Sequence, residues 1–264
     1  MTFKGVPRIG QGTWQIEHDD RASLVASLRA GLDAGLTHVD TAEMYGSGLA
    51  EEVIGEALGD RREEVFLVSK VLPSNASRKG AVAACERSLK RLRTDYLDCY
   101  LLHWPGAHPL DETFAAFEDL LEAGKIRSYG VSNFDEELIE TAARIAGPGK
   151  IACNQVLYNL AERHIEAGVI PACRELGITV VGYSPFMGFQ ESAALRTVAA
   201  ESGATPRQVA LAFLARNALQ IPKAAQVAHV RDNARALALQ LSPEQIAHLD
   251  EAHPLKVRRE LPTA

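Results

Sequence analysis

Along the chain, short β-rich apolar runs alternate with longer stretches whose apolar residues recur at every third and fourth position. That alternation specifies a parallel sheet with crossover helices. The runs predict eight strands, at 8–13, 37–40, 65–70, 97–103, 127–133, 151–155, 178–184 and 219–223. The periodic stretches predict helices over 21–34, 49–58, 78–92, 113–123, 136–145, 165–176 and 206–216. Start signals stand at Thr205-Pro206 and Ser242-Pro243, where a capping hydroxyl precedes proline, and stop signals at Gly35, Gly124 and Gly177.

Eight parallel strands in 264 residues favour a closed (β/α)8 TIM barrel over an open doubly wound α/β sheet, because about 250 residues is the usual barrel size. No linker interrupts the pattern, which predicts one domain over 1–264 with its active site at the C-terminal ends of the strands. Gly10-Gln11-Gly12 and Gly46-Ser47-Gly48 are GxG fragments without a third glycine or a strand-to-helix setting. A Rossmann fingerprint is therefore absent, and a dinucleotide would have to be bound by another route.

Composition narrows the class further. With 47% hydrophobic and 23% charged residues the chain is globular, and no fixed repeat runs through it. The net charge of −6 comes from 34 acidic and 28 basic residues of mixed sign, so no basic face offers itself to nucleic acid or to an anionic membrane. The first fourteen residues hold no apolar run of signal-peptide length and no segment approaches a membrane span, which predicts a cytoplasmic protein. Cys85, Cys99, Cys153 and Cys173 lack paired spacing and are read as reduced core thiols, with neither disulfide nor metal site expected.

The chemistry gathers where the strands finish. Asp40 ends the second, Lys70 the third, His103 the fourth, Ser132-Asn133 the fifth, Gln155 the sixth, Tyr183-Ser184 the seventh and Lys223 the eighth. Each alone has a bland reading, as a helix cap, a solvated cation or a packing histidine. In a barrel all of them converge on one rim. Tyr45 follows Asp40 by five residues, on a loop with Gly46 and Gly48 that reaches the same rim. A carbonyl that accepts a hydride needs a proton, and a phenol with a pKa of about 10 is a reluctant donor at neutral pH. A nearby ammonium lowers that pKa, and a carboxylate keeps the ammonium charged and in place. Lys70 and Asp40 suit those roles toward Tyr45, with His103 bonding the carbonyl oxygen.

These residues lie in stretches that together resemble the aldo-keto reductases, from Gly12 to about Leu249. They are Gly12-Thr13-Trp14, the run from Gly35 to Tyr45 with Glu51 and Gly55 beyond, Val68-Ser69-Lys70, and Leu97 to Pro105. Further on come Gly130 to Phe134, Asn154-Gln155, Gly182 to Pro185 and Ile221-Pro222-Lys223. The resemblance implies a (β/α)8 barrel that binds a nicotinamide cofactor, usually NADPH. It implies Tyr45 as proton donor in a tetrad with Asp40, Lys70 and His103, and Ser132, Asn133 and Gln155 as holders of the carboxamide. Tyr183 would stack on the nicotinamide, and Thr13, Trp14, Ser184, Pro185 and Phe186 would line the path of ring and pyrophosphate. Trp14 and Trp104 match aromatic walls of the substrate pocket.

The chain departs from the family where an adenosine 2′-phosphate would sit. The usual serine after Ile-Pro-Lys is Ala224, the arginine five residues on is His229, and the Glu-Asn pair is Asp232-Asn233. A permanent cation has become an imidazole, so Lys223 is left as the point charge. NADPH preference is expected to be weaker than with the full motif, and some NADH use follows. Short loops at 105–111 and 187–192 resemble those of compact bacterial members, monomers that reduce small aldehydes and 2-oxo-aldehydes such as methylglyoxal. Two other readings stand beside this one: a Schiff-base aldolase with Lys70 as nucleophile, and an NADPH-binding redox-sensing subunit with little turnover.

Overall fold

The strands are short, and what they accomplish depends on which side each residue faces. The structure is a computed structural model that describes residues 3–256 and Leu261; the outermost parts of the expected 1–264 unit lie outside the described residues. Strands and helices run β1 (Gln11–Gly12), α1 (Arg21–Asp33), β2 (His38–Asp40), α2 (Leu49–Leu58), β3 (Phe66–Val71), α3 (Arg78–Leu92), β4 (Cys99–Leu102) and α4 (Leu110–Glu122). They continue with β5 (Tyr129–Ser132), α5 (Glu136–Ala146), β6 (Ile151–Leu157), α6 (Val169–Glu175), β7 (Thr179–Tyr183), α7 (Ala193–Ser202), α8 (Pro206–Leu214), β8 (Leu219–Ile221), α9 (Val227–Arg235) and α10 (Pro243–Ala252). All neighbouring strands pair in parallel in the order β1 to β8. Parallel bridges Ile9↔Gln220 and Gly12↔Lys223 join the two ends into a barrel.

The predicted strands are present, most of them trimmed at an end for identifiable reasons. Asn133 and Ser184 adopt left-handed backbone (φ 61° and 54°), which ends β5 and β7 just before them. The 8–13 run shrinks to two paired residues flanked by bridges. Gly12 lies so close to β8 that a Cβ there would meet the Ile221 carbonyl oxygen at 2.5 Å. Helices α7 and α9 come in addition to the predicted set, and α10 begins at the Ser242-Pro243 start signal. Helix α7 turns two alanines, Ala194 and Ala199, inward with Leu195 and Val198, and is capped by Ser192 accepting from the Leu195 N–H.

Two apolar layers result from the period of two along each strand. Outward residues such as Val39, Leu67, Tyr100 and Val131 pack under the helices. Val68, Cys99, Leu101, Cys153, Val181 and Ile221 form a separate cluster with Phe3, which fills the lower lumen. The four cysteines are free and buried, as expected. One or two pleats above that plug, the same inward phase gives Asp40, Lys70, Ser132, Gln155 and Tyr183. Polar chemistry thus begins where the apolar plug stops. Among the described residues no helix is long and apolar enough to cross a membrane, and no group of three or more His, Cys, Asp or Glu side chains is placed to hold a metal ion.

His38 belongs to the bottom of this lumen. Neither ring nitrogen has a hydrogen-bond partner among the described residues, and the ring lies edge-on to Phe3 and Phe66 at 5.8 and 5.7 Å. Burial lowers its pKa to about 4, Asp40 opposing and Lys70 adding to the shift. The unfolded chain takes up this proton below about pH 6.5 while the folded chain does not, so stability falls as the pH drops from 6.5 to 4. The contribution lost is about 3 kcal/mol. His38→Leu should flatten the acid limb of a plot of unfolding free energy against pH. An unchanged limb would mean that the folded protein accommodates the charged ring.

Candidate active site

A chain of short contacts starts from Lys70, which is completely buried. Its ammonium donates to Asp40 Oδ1 at 2.6 Å, to the Thr41 carbonyl at 2.8 Å and to Tyr45 Oη at 3.2 Å. The other Asp40 oxygen accepts from Gln155 Nε2 at 2.7 Å, and the Asp40 carbonyl accepts from Thr13 Oγ1 at 2.8 Å. The Asp40 carboxylate therefore ties three strand ends together, and its main-chain carbonyl adds a fourth. Burial alone would push the Lys70 pKa down; Asp40 and Tyr45 outweigh it, and the net shift is upward. The ammonium is held charged with three partners, which leaves no lone pair for attack on a carbonyl. Schiff-base chemistry at Lys70 has no support in this geometry.

Tyr45 differs from expectation in one respect. Its pKa is raised, because burial of the phenol outweighs the lowering by Lys70, and Asp40 adds to the rise. The ammonium, already matched by a carboxylate, returns only part of the cost of putting a phenolate in a low-dielectric site. The phenol therefore keeps its proton at neutral pH and accepts a bond from Lys70 on its oxygen. Gly46, Ser47 and Gly48 follow it with φ of 54°, 54° and 97°, a left-handed turn that glycine makes at little cost and that feeds the chain into α2.

Glu43 fixes this loop, a role the sequence reading missed. Its nearly buried Oε1 accepts from the Leu72 N–H at 2.8 Å and from Asn75 Nδ2 at 2.9 Å. It thereby joins the loop that carries Tyr45 to the one that follows Lys70. A glutamate in mid-loop offers no sequence signal for such a contact. Glu51 likewise sits fully buried between Ser69 Oγ and Arg91, at 2.6 Å from each.

His103 stands across from Tyr45, ring centroids 5.7 Å apart, and Trp104 packs on it at 4.8 Å. Burial, with Lys70 adding to it, lowers the His103 pKa to about 2. Its buried Nδ1 has no partner among the described residues. The ring is a neutral hydrogen-bonding group rather than an acid.

These residues open into a cavity of about 390 Å³. Asp40, Tyr45, His103, Ser132, Asn133, Gln155, Tyr183, Ser184 and Thr13 supply its polar wall, and Trp14, Met44, Trp104, Leu157, Met187 and Ile221 its apolar one. Met44, Leu157 and Met187 were not anticipated. Tyr183 Oη donates to Asn133 Oδ1 at 3.0 Å, and Asn133 Nδ2 donates to the His103 carbonyl and to Ser132 Oγ, both at 3.2 Å. Asn133 is thus spent on the protein, whereas among the described residues the Ser132 hydroxyl proton and the Gln155 side-chain oxygen Oε1 stay available.

Toward β8 the expected residues spread out. Lys223 lines the cavity but forms an ion pair with Asp19, from the segment between β1 and α1. Ala224, His229, Asp232 and Asn233 do not line it. The Ala224 carbonyl accepts from Ser27 Oγ at 2.8 Å, His229 is exposed, Asn233 is buried, and Asp232 accepts from Gln208 Nε2 at 2.6 Å. Pro185 and Phe186 also stand off the wall, and Phe186 lies beneath the Arg207 guanidinium.

Comparison with known proteins bears on this arrangement. The aldo/keto reductase family model matches residues 8–254. Methylglyoxal reductase YeaE of Escherichia coli (strain K12) is 46% identical over 260 residues, covering 94% of this chain and 92% of its own. Glyoxal reductase of Bacillus subtilis (strain 168) is 33% identical, covering 93% and 88%. Among solved structures, an aldo-keto reductase from Klebsiella pneumoniae in complex with NADPH gives a TM-score of 0.92 at 45% identity, covering 98% of this chain and 95% of that one.

Proposed function

Because the chain belongs to the aldo/keto reductase family of oxidoreductases, we propose that it uses NADPH to reduce small aldehydes and ketones, 2-oxo-aldehydes such as methylglyoxal among them. The observation that carries this reading is the contact chain from Asp40 through Lys70 to Tyr45 Oη, ending at a cavity wall beside a neutral His103. Relatives named for methylglyoxal and glyoxal reduction, and a neighbour crystallised with NADPH, support the substrate and cofactor parts.

The walls fit a nicotinamide. The Ser132 hydroxyl and the Gln155 side-chain oxygen would hold a carboxamide, Tyr183 would offer an aromatic face for the ring, and Lys223 at the rim would meet a phosphate. When bound, the cofactor supplies the hydride. Everything else falls to the chain. His103 donates a hydrogen bond to the substrate oxygen and orients the carbonyl. Tyr45, its oxygen already accepting from the Lys70 ammonium, points its own proton outward and delivers it as charge develops on that oxygen. Asp40 holds Lys70, and Gln155 holds Asp40. Trp14, Trp104 and Met187 close an apolar mouth sized for a small substrate.

The test is steady-state turnover of a panel of small aldehydes and ketones, with NADPH and NADH side by side. Turnover with NADPH and 2-oxo-aldehydes among the better substrates is expected. Tight NADPH binding without turnover on any of them would replace this reading with that of a redox-sensing binding protein.

A further inference from the structure

The cation expected to meet the cofactor's 2′-phosphate is compromised. Lys223 is matched by Asp19, the hydroxyl beside it is Ala224, and the next position able to carry charge is the exposed His229. A phosphate dianion arriving at Lys223 must share the ammonium with a carboxylate that repels it. Little discrimination is left in such a site.

Another cation lies between residues of the same region. Arg207 is the second residue of α8, and its guanidinium carbon sits 3.6 Å from the centroid of Phe186 and 5.5 Å from that of Phe189. Phe186 follows Ser184 and Pro185 at the end of β7, where Ser184 lines the cavity. Asp232 is close enough to act on Arg207 electrostatically. Asp232 does not pair with it, however; its carboxylate is turned onto α8 and accepts from Gln208 Nε2 at 2.6 Å and Thr205 Oγ1 at 3.4 Å. No carboxylate among the described residues forms an ion pair with Arg207. Stacking on an aromatic face fixes the plane of a guanidinium and leaves its N–H edge open, the geometry in which arginine binds phosphate with two parallel hydrogen bonds. Arg207 is exposed, so an anion can reach that edge from solvent.

We propose that Arg207 is the residue that recognises the cofactor's 2′-phosphate in this protein, in place of the arginine lost at His229 and ahead of Lys223. The proposal rests on the NADPH reading above. It makes cofactor preference a property of α8 and the segment after β7, rather than of the Ile221-Pro222-Lys223 stretch.

The test measures binding of NADPH and NADH, by quenching of the protein's tryptophan fluorescence at low salt, for wild type, Arg207→Gln and Lys223→Met. Arg207→Gln should weaken NADPH about ten- to a hundredfold, the worth of a charge-assisted bidentate contact, while NADH changes less than threefold. The slope of log Kd for NADPH against log salt should become shallower in the same variant. Lys223→Met should have the smaller effect on the NADPH to NADH ratio. If Lys223→Met abolishes the preference and Arg207→Gln leaves it intact, the proposal is overturned while the cofactor reading stands. If wild type binds neither nucleotide, the cofactor reading itself fails. An Arg207→Lys variant keeps the charge but loses the planar fork, and recovery of full preference with lysine would also count against bidentate recognition.

Discussion

Tyr45→Phe is expected to lower kcat for carbonyl reduction by a hundredfold or more, about the contribution of a positioned general acid, while the Kd for NADPH stays within about twofold because the phenol acts only in the transition state. The phenol oxygen has one hydrogen bond among the described residues, from Lys70. Removing it leaves the ammonium with Asp40 and the Thr41 carbonyl, so the fold should tolerate the change. The raised pKa adds a second readout. A proton donor whose pKa lies above the ordinary tyrosine value of 10.0 keeps its proton through neutral and mildly alkaline pH. In wild type, kcat/KM for reduction should therefore show no alkaline fall attributable to this group until the pH exceeds 10. Turnover of Tyr45→Phe within fivefold of wild type would remove Tyr45 from the reaction, and a fall centred near pH 8 would point to a different acid.

The barrel was legible because its determinants are local. A strand buried on both faces is a short apolar run, and the strand ends are marked by the polar residues that break it; Asp40, His103 and Gln155 were found in this way. What could not be read depends on contacts across the barrel. Asp19 lies 204 positions from Lys223, and no spacing rule connects them. Glu43 looks like any loop glutamate until its carboxylate is seen bridging to Leu72 and Asn75. Helix α7 was missed because alanines carry little hydrophobic contrast. The Tyr45 shift was assigned the wrong direction for a related reason. Sequence shows that a cation is near, whereas the cost of desolvation depends on how deep the phenol lies, and here depth outweighs the neighbour. Spatial convergence of Asp40, Lys70, Tyr45 and His103 was expected from topology. The exposure of His229 and the engagement of Asp232 by Gln208 were not.

Lys70→Met should damage both stability and turnover, and the two losses should separate. Lys70 and Asp40 are a fully buried pair at 2.6 Å. Deleting one member leaves the Asp40 carboxylate with Gln155 as its remaining side-chain donor, a loss of about 3–5 kcal/mol for a broken buried ion pair. Turnover should fall at least a hundredfold, because the phenol loses the cation that would stabilise its developing negative charge as the proton leaves. Adding Asp40→Asn to Lys70→Met removes the stranded charge. The double variant should regain most of the lost stability, measured by urea unfolding, since a neutral amide beside a thioether carries no unpaired charge. It should not regain turnover. Recovery of both would mean that the single variant was inactive only because it was poorly folded, and that the ammonium has no part in proton transfer. Recovery of stability alone isolates the electrostatic role of Lys70 from its role in the lumen of the barrel, where one buried charge pair marks the boundary between the apolar plug below and the reactive rim above.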